Sequence, residues 1–307
     1  SRTFTAAVMN AVAGTDSFTA VIPGSLVTDH GVEYRLRSTD MTGAVDSTDT
    51  AVLRVTMPSM NGTVSIPAAS RGDASDPAFQ TQQLSNFRMF SVPVDLGNKS
   101  VSAVFAGLGI SATDSTLRLF QWNGSSYQNL SSGSAFTTGR AVWLISNTAI
   151  SAVTVGAGAS NATINPPSIS INQAGNKFTQ IGVPYTFPVP VDTILAHNGH
   201  LEPTIWAWNS GTTDYQPAQT VQPWQGYWVK GKTTLTKMII PAVDADSVSK
   251  PVVARTLPHS TDGWILQVKA TAGGVADPHN YVGVSPIADD RWDRMDVTEP
   301  PSFGNGM

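Results

Sequence analysis

The chain has 307 residues, of which only 13% are charged, and its formal net charge is −4. An ordinary globular protein carries about 25% charged residues, and a slightly acidic balance gives no basic field to attract nucleic acid or an anionic membrane. The chain has no cysteine, which excludes disulfides, thiolate metal sites and cysteine nucleophiles, and no apolar run approaches the roughly 18 residues of a membrane span.

Residues 1–57 are predicted to form short strands separated by turns rich in glycine, aspartate and threonine. Strict alternation over residues 32–37 predicts that Val32, Tyr34 and Leu36 share one buried face. Three or four strands are too few for a stable sandwich, so we interpret this region as a partial β segment, and it resembles part of an immunoglobulin or fibronectin domain. Residues 58–86 follow as a polar, turn-rich linker with one short strand at 63–66.

Residues 87–160 and 161–248 are predicted to be two related β modules. Matching segments recur in the same order at offsets of 85–91 residues: FRMFSVPV with FTQIGVPY, LFQWN with IWAWN, and GRAVWLI with WQGYWVK. Each module is expected to contain one short helix, in SVSAVFAGLG or in VDTILAHNG. The matched positions are apolar or turn-forming and none is an obvious nucleophile, acid or ligand, so the pattern indicates an internal duplication of about 90 residues that preserves architecture.

Residues 249–307 are predicted to be a C-terminal β segment that is itself incomplete. Trp264, Leu266 and Val268 alternate with mostly polar residues, which is typical of a strand, and an irregular acidic loop follows. No predicted helix exceeds three turns. The predicted fold class is therefore all-β, built from tandem antiparallel β-sandwich modules.

Three groups of motifs together resemble a known class of protein. The immunoglobulin-like segment contains VIPGSLVTDHGVEYRLRSTDMTG, the paired modules contain GRAVWLI and PWQGYWV, and the C-terminal segment contains ADDRWDRMDVTEPP. This arrangement resembles the long β-rich C-terminal regions of large bacterial exported surface proteins, including substrates of type IX secretion. The resemblance implies an extracellular or cell-surface location and supplies no catalytic residues.

The acidic loop is the best candidate for metal chemistry. Carboxylate oxygens in an irregular loop suit Ca²⁺, and the candidate ligands are Asp289, Asp290, Asp293 and Asp296. The alternative is that these carboxylates cap turns or pair with nearby arginines. His197 and His200 lie close together but have no third ligand nearby in sequence, so we read them as part of a turn after the helix. No nucleotide-binding motif is present, and no other cofactor is expected.

Eight tryptophans raise the question of carbohydrate binding, because exposed rings stack on sugars. Four of them recur at equivalent positions of the two modules and are expected to be core residues: Trp122, Trp143, Trp208 and Trp228. Trp206 and Trp224 have no aromatic counterpart of the same kind, so they are the candidates for exposed rings that bind surface glycans.

Five Asp-Ser/Thr-small-apolar tripeptides resemble the O-glycosylation acceptor sites of bacteria that use type IX secretion. The acceptor positions implied by this resemblance are Ser47, Thr50, Ser115, Thr193 and Ser247. Aspartate is also common at turns and helix N-caps, which is the alternative interpretation.

The sequence favours a non-enzymatic extracellular structural protein whose partners are copies of itself. The incomplete β segments at the two ends are expected to expose unpaired strand edges, which template strand addition from another copy and give a filament if the contact does not close. One alternative is a carbohydrate-binding or adhesive module. Another is an accessory C-terminal region of a larger exported hydrolase.

Overall fold

The computed structural model describes most of the chain, leaving several segments out. The described residues are 5–28, 31–53, 55–57, 60–69, 84–108, 116–159, 168–172, 174–245, 263–272, 275–286, 288 and 298–301. Within these ranges the elements are 25 strands, two short α-helices and three short 3₁₀ helices. The strands pair antiparallel in several sheets, so the predicted all-β class is confirmed.

The N-terminal segment, residues 5–57, consists of very short strands. They are β1 (Asn10–Ala11), β2 (Phe18–Thr19), β3 (Val32–Tyr34), β4 (Arg37–Thr39), β5 (Val45–Ser47), β6 (Ala51–Leu53) and β7 (Thr56–Met57), with a 3₁₀ helix at Gly24–Leu26. β1 pairs with β2, β3 with β6 and β4 with β5. The predicted buried face is wrong in part: Val32 is buried, but Tyr34 and Leu36 are exposed. Among the described residues no second sheet covers them.

The first unit, residues 60–159, contains a four-stranded sheet and a strand pair. Its elements are β8 (Met60–Ile66), β9 (Arg88–Ser91), β10 (Asp95–Leu96), α1 (Val101–Phe105), β11 (Leu117–Trp122), β12 (Tyr127–Leu130), β13 (Ala141–Ser146), β14 (Ile150–Val155) and β15 (Gly158–Ala159), with 3₁₀ helices at Leu84–Asn86 and Ala106–Leu108. The sheet order is β12-β11-β13-β9, and β8 pairs with β14. Part of the predicted linker is thus a full strand of this unit.

The second unit, residues 168–245, repeats this plan. Its elements are β16 (Ser168–Asn172), β17 (Phe178–Ile181), β18 (Val189–Pro190), α2 (Val191–His197), β19 (Trp206–Asn209), β20 (Asp214–Pro217), β21 (Thr220–Val221), β22 (Tyr227–Lys230) and β23 (Lys237–Pro241). Its sheet order is β17-β22-β19-β20, and β16 pairs with β23. Replacing each strand by its sequence counterpart in the first unit gives the same order. The two helices lie where the sequence predicts them.

Each helix covers the strand pair of its own unit. α1 begins after Ser100, whose hydroxyl accepts a hydrogen bond from the backbone N–H of Ala103 at 3.2 Å, a typical N-cap. α1 packs on β14 and α2 packs on β23. A hydrophobic core therefore lies between helix, strand pair and four-stranded sheet in each unit.

The C-terminal part is a long hairpin of β24 (Trp264–Ala272) and β25 (Val275–Val284). Trp264 lies opposite Val284, and Leu266 lies opposite Val282. Because side chains alternate along a strand, these four residues share one face of the hairpin. The predicted strand at Trp264, Leu266 and Val268 is confirmed.

Candidate functional site

The two four-stranded sheets pack face to face through an aromatic layer that we call the seam. The buried residues of the seam are Ala69, Phe87, Met89, Phe120, Trp143, Ile145, Trp206, Tyr215 and Trp228. Trp143 and Trp228 are fully buried. The seam joins the first and second units into one body.

Alternation along the strands explains why both faces of each sheet are apolar. In β13, Val142 and Leu144 face the core of the first unit, whereas Trp143 and Ile145 face the seam. In β22, the neighbours of Trp228 face the core of the second unit. A sheet that is covered on both faces requires continuous apolar strands, which is why AVWLIS is buried throughout.

The ring contacts across the seam follow an approximate twofold arrangement. Trp143 meets Trp208 with ring centroids 5.2 Å apart at 85°, and its counterpart Trp228 meets Trp122 at 6.1 Å and 76°. Tyr215 pairs with Trp208 in one sheet as Tyr127 pairs with Trp122 in the other, so the two tyrosines are counterparts. Tyr215 lies 6.5 Å from Trp143, and Tyr127 lies 6.5 Å from Trp228. Most of these contacts have the edge-to-face geometry that aromatic rings prefer. Trp143 and Trp228 are buried core residues, as the repeat predicts, whereas Trp122 and Trp208 are only partly buried and pack against them.

Backbone hydrogen bonds across the seam follow the same arrangement. The N–H of Ser91 donates to the backbone oxygen of Trp224 at 3.2 Å, and the N–H of Gly182 donates to that of Gly139 at 3.0 Å. Ser91 corresponds to Gly182 in the repeat, and Trp224 corresponds to Gly139. The units are therefore joined by paired backbone as well as by packed rings.

The predicted exposure of Trp206 and Trp224 is wrong. Trp206 is 4% exposed in the seam, and Trp224 is 7% exposed. Trp224 extends from the second unit into the core of the first, where its ring lies 6.2 Å from Phe90 and against Gly62. Neither ring presents a surface to a sugar. At these two positions the repeats differ because the two units pack differently, and not because the rings are exposed.

Trp224 has a backbone conformation that side chains seldom adopt. Its φ is +67°, in the left-handed region, and its counterpart Gly139 has φ +74°. Glycine adopts this region without the Cβ clash that other residues suffer. The second unit therefore keeps the turn conformation of a glycine but has a tryptophan there. The tryptophan side chain fills a space in the core of the first unit.

At one edge of the seam, a group of polar residues holds residues 298–301. The ammonium of Lys230 lies 2.9 Å from a carboxylate oxygen of Glu202 and donates to the hydroxyl of Thr298 at 2.8 Å. That hydroxyl donates in turn to the other oxygen of Glu202 at 2.6 Å. The hydroxyls of Tyr215 and Tyr127 donate to the backbone oxygen of Pro301 at 3.2 and 3.5 Å. We call this arrangement the segment seat: Glu202, Lys230, Tyr127 and Tyr215.

Sequence reasoning missed the segment seat. Thr298 is 68 residues from Lys230 and 96 from Glu202, so no local motif contains them. Of the motifs that carry the resemblance, only ADDRWDRMDVTEPP contains the bound residues, Thr298 to Pro301.

A cleft of about 410 Å³ opens beside the seam. Its lining combines one arginine, two tryptophans and three side-chain amides: Arg88, Trp208, Trp224, Asn209, Gln216 and Gln225. Arg88 is held by backbone oxygens of Ser65 and Ser85 at 3.0 and 2.6 Å. Its guanidinium is therefore hydrogen-bonded to the backbone of the first unit.

Burial of three tyrosines leads to an expected alkaline sensitivity. Burial raises the pKa of Tyr227 from 10.0 to about 12, and it also raises the pKa of Tyr127 and of Tyr215. The folded protein disfavours the phenolate, so the neutral tyrosines contribute to the free energy of unfolding. This contribution is complete below pH 10 and is lost as the pH rises through the pKa of the folded state. For Tyr227 alone the loss is about 3 kcal/mol.

Urea unfolding measured from pH 9 to pH 12 tests this expectation. The free energy of unfolding should fall steeply above pH 10, and the fall should be shallower in Tyr227→Phe, which has no phenol to ionise. The same slope in both proteins would contradict the assignment to Tyr227.

The other candidate residues differ in burial, and several lie outside the described residues. Asp289, Asp290, Asp293 and Asp296 lie outside the described residues, as do Ser115 and Ser247. Ser47 is exposed, whereas Thr50 and Thr193 are half-buried. His197 ends α2, where its Nδ1 lies 2.8 Å from the backbone oxygen of Thr193. In the described part of the chain, no group of three or more acidic or histidine side chains is placed to hold a metal ion.

Among the described residues, neither α-helix has the length and hydropathy needed to cross a membrane. Comparison with protein-family models, with curated proteins and with solved structures finds no match to this chain.

Proposed function

We propose that this chain is a non-enzymatic extracellular structural protein that self-associates end to end. The two units, as tandem β-sandwich modules derived from an internal duplication, form its rigid body. The shared strand order and the paired contacts of the seam support this origin. The low content of charged residues and the resemblance to exported surface proteins support the location.

The observation that carries the proposal is the apolar face of the C-terminal hairpin. Its members are 43 to 56% exposed: Trp264, Leu266, Val268, Val282 and Val284. A two-stranded hairpin is marginally stable by itself in water, and contiguous exposed apolar surface marks an interaction site. This face is therefore suited to packing against another β layer.

The N-terminal segment supplies a matching surface. Its paired short strands leave apolar side chains exposed, including Tyr34, Leu36 and Leu53. These two β layers, each with exposed apolar side chains, complete each other when the hairpin of one copy packs on the N-terminal segment of the next. A contact between two different surfaces that does not close on itself gives a filament.

Two charge-introducing variants test the proposal by analytical ultracentrifugation of the full chain. We expect the unmodified chain to form a ladder of oligomers, and we expect Leu266→Lys or Leu53→Lys to remain monomeric, because either lysine places a charge in the contact. A mixture of the two variants should stop at dimers, since each retains one intact surface.

Leu235→Lys is the matched control, because Leu235 is a 57% exposed leucine of the second unit. It should associate as the unmodified chain does. A monomeric unmodified chain at high concentration would overturn the proposal, and so would undiminished association of Leu266→Lys.

A further inference from the structure

The segment at the seam edge is built to be recognised without strand pairing. Pro300 and Pro301 have no backbone N–H, so this stretch is a poor partner for a β ladder. The residue before a proline favours an extended backbone, and successive prolines favour polyproline II, which leaves carbonyl oxygens free of internal hydrogen bonds. Pro300 is buried and the oxygen of Pro301 accepts from two tyrosines. The protein therefore binds this segment through the segment's proline rings and carbonyl oxygens, as proline-binding grooves do.

The threonine contact makes the recognition specific. The hydroxyl of Thr298 uses both of its capacities, accepting from Lys230 and donating to Glu202. The Glu202 side chain is only 5% exposed and that of Lys230 is 23% exposed, so these hydrogen bonds involve charges with little access to water. The N–H of Glu202 also donates to the backbone oxygen of Lys230 at 2.8 Å. The backbones of the two residues are therefore paired by a contact that does not involve the segment.

The two tyrosines come from different units. Tyr127 lies in β12 of the first unit and Tyr215 lies in β20 of the second. They are counterparts in the repeat, and the approximate twofold arrangement of the seam brings their hydroxyls to one carbonyl oxygen, which has two lone pairs. This part of the segment seat exists only where the sheets are packed together.

We propose that the segment seat is a docking site for an extended Thr-Glu-Pro-Pro segment, and that a second copy of the chain supplies this segment when the chain's own is withdrawn. The choice of a second copy rests on the self-association proposed above, whereas the docking site does not. The contact differs from the hairpin contact, because it depends on hydrogen bonds and proline rings at the seam edge.

A labelled peptide with the sequence of residues 296–303 tests the docking site. In the unmodified chain the tethered segment competes at high effective concentration, so the peptide should bind weakly. In Thr298→Val, which removes both hydrogen bonds with little change in shape, we expect the peptide to bind at least about tenfold more tightly. The fluorescence of the buried seam tryptophans should be the same in both proteins, which verifies that the seam is intact.

Two controls make the result specific. A peptide with valine in place of the threonine should bind at least about tenfold more weakly than the original peptide. Adding Glu202→Gln to the Thr298→Val chain should weaken binding similarly. Equal binding of the two peptides, or no gain in the Thr298→Val chain, would overturn the docking site.

Exchange between copies is tested in the Leu266→Lys background, where the hairpin contact is blocked. One chain carries Thr298→Val, so its segment seat is intact and its own segment binds weakly. The other carries Glu202→Gln, so its segment is intact and its segment seat binds weakly. Their mixture should sediment as a one-to-one complex that the free peptide dissociates. A mixture that stays monomeric would overturn the exchange, and this outcome is independent of whether the unmodified chain associates through its hairpin.

Discussion

Trp228→Ala is expected to lower the free energy of unfolding by about 3–5 kcal/mol, the usual range for removing a buried large aromatic residue. The ring is fully buried at the centre of the seam and contacts rings of both units. A small domain has only about 5–15 kcal/mol of stability, so this single change removes a large share. Chemical unfolding followed by circular dichroism measures the effect.

Three further variants show whether the loss belongs to the seam. Trp143→Ala removes the counterpart ring and should have a similar effect, because the contacts of the two rings correspond. Trp228→Phe keeps an aromatic ring and should lose less. Trp264→Ala, in the exposed hairpin face, should change the stability of the monomer by about 0.5 kcal/mol or less. A small effect of Trp228→Ala, comparable to that of Trp264→Ala, would contradict the central role of the seam.

The second large effect is expected at Trp224, where side chain and backbone oppose each other. Trp224→Ala and Trp224→Gly both empty the same space in the first unit, which should lower the free energy of unfolding by about 3–5 kcal/mol. Alanine keeps the left-handed strain, whereas glycine relieves about 1–2 kcal/mol of it. We therefore expect the glycine variant to be the more stable of the two, measured by thermal and urea unfolding.

Gly139 provides the matched control. Its φ of +74° resembles that of Trp224, and its replacement by alanine introduces the strain without emptying a cavity. Gly139→Ala should therefore destabilise the chain by about 1–2 kcal/mol. If Trp224→Ala proves more stable than Trp224→Gly, the backbone at this turn does not carry the strain.

Much of the fold follows from local patterns in the sequence. The two short helices, the Trp-Asn turns and the closing tryptophan strands repeat in order, and recurrence identifies Trp143 and Trp228 as core residues because a ring kept in both units serves what the units share. Alternation was less informative at Tyr34 and Leu36. It shows which side chains share a face, but not whether another layer covers that face.

The contacts between the units are less visible in the sequence for a physical reason. Because Trp224 stands where the first unit has Gly139, the sequence predicts an exposed ring. The ring instead fills a space beside Gly62. Gly62 is far away in the sequence and has no side chain, so no local pattern reveals this space. Glu202, Lys230 and Thr298 likewise meet only after the sheets have packed. Local periodicity carries information about neighbours in one element, whereas these contacts depend on how whole units are placed.

The twofold character of the seam also matters while the chain is being made. The first unit's seam face, with Phe120 and Trp143, emerges from the ribosome before residues 206–228 exist. At about 5–20 residues per second, this face waits roughly 4–16 s for its partner. A neighbouring nascent chain on the same messenger presents an equivalent face, so premature pairing between chains competes with folding. The second unit follows on the same polypeptide at high effective concentration, which favours the correct partner.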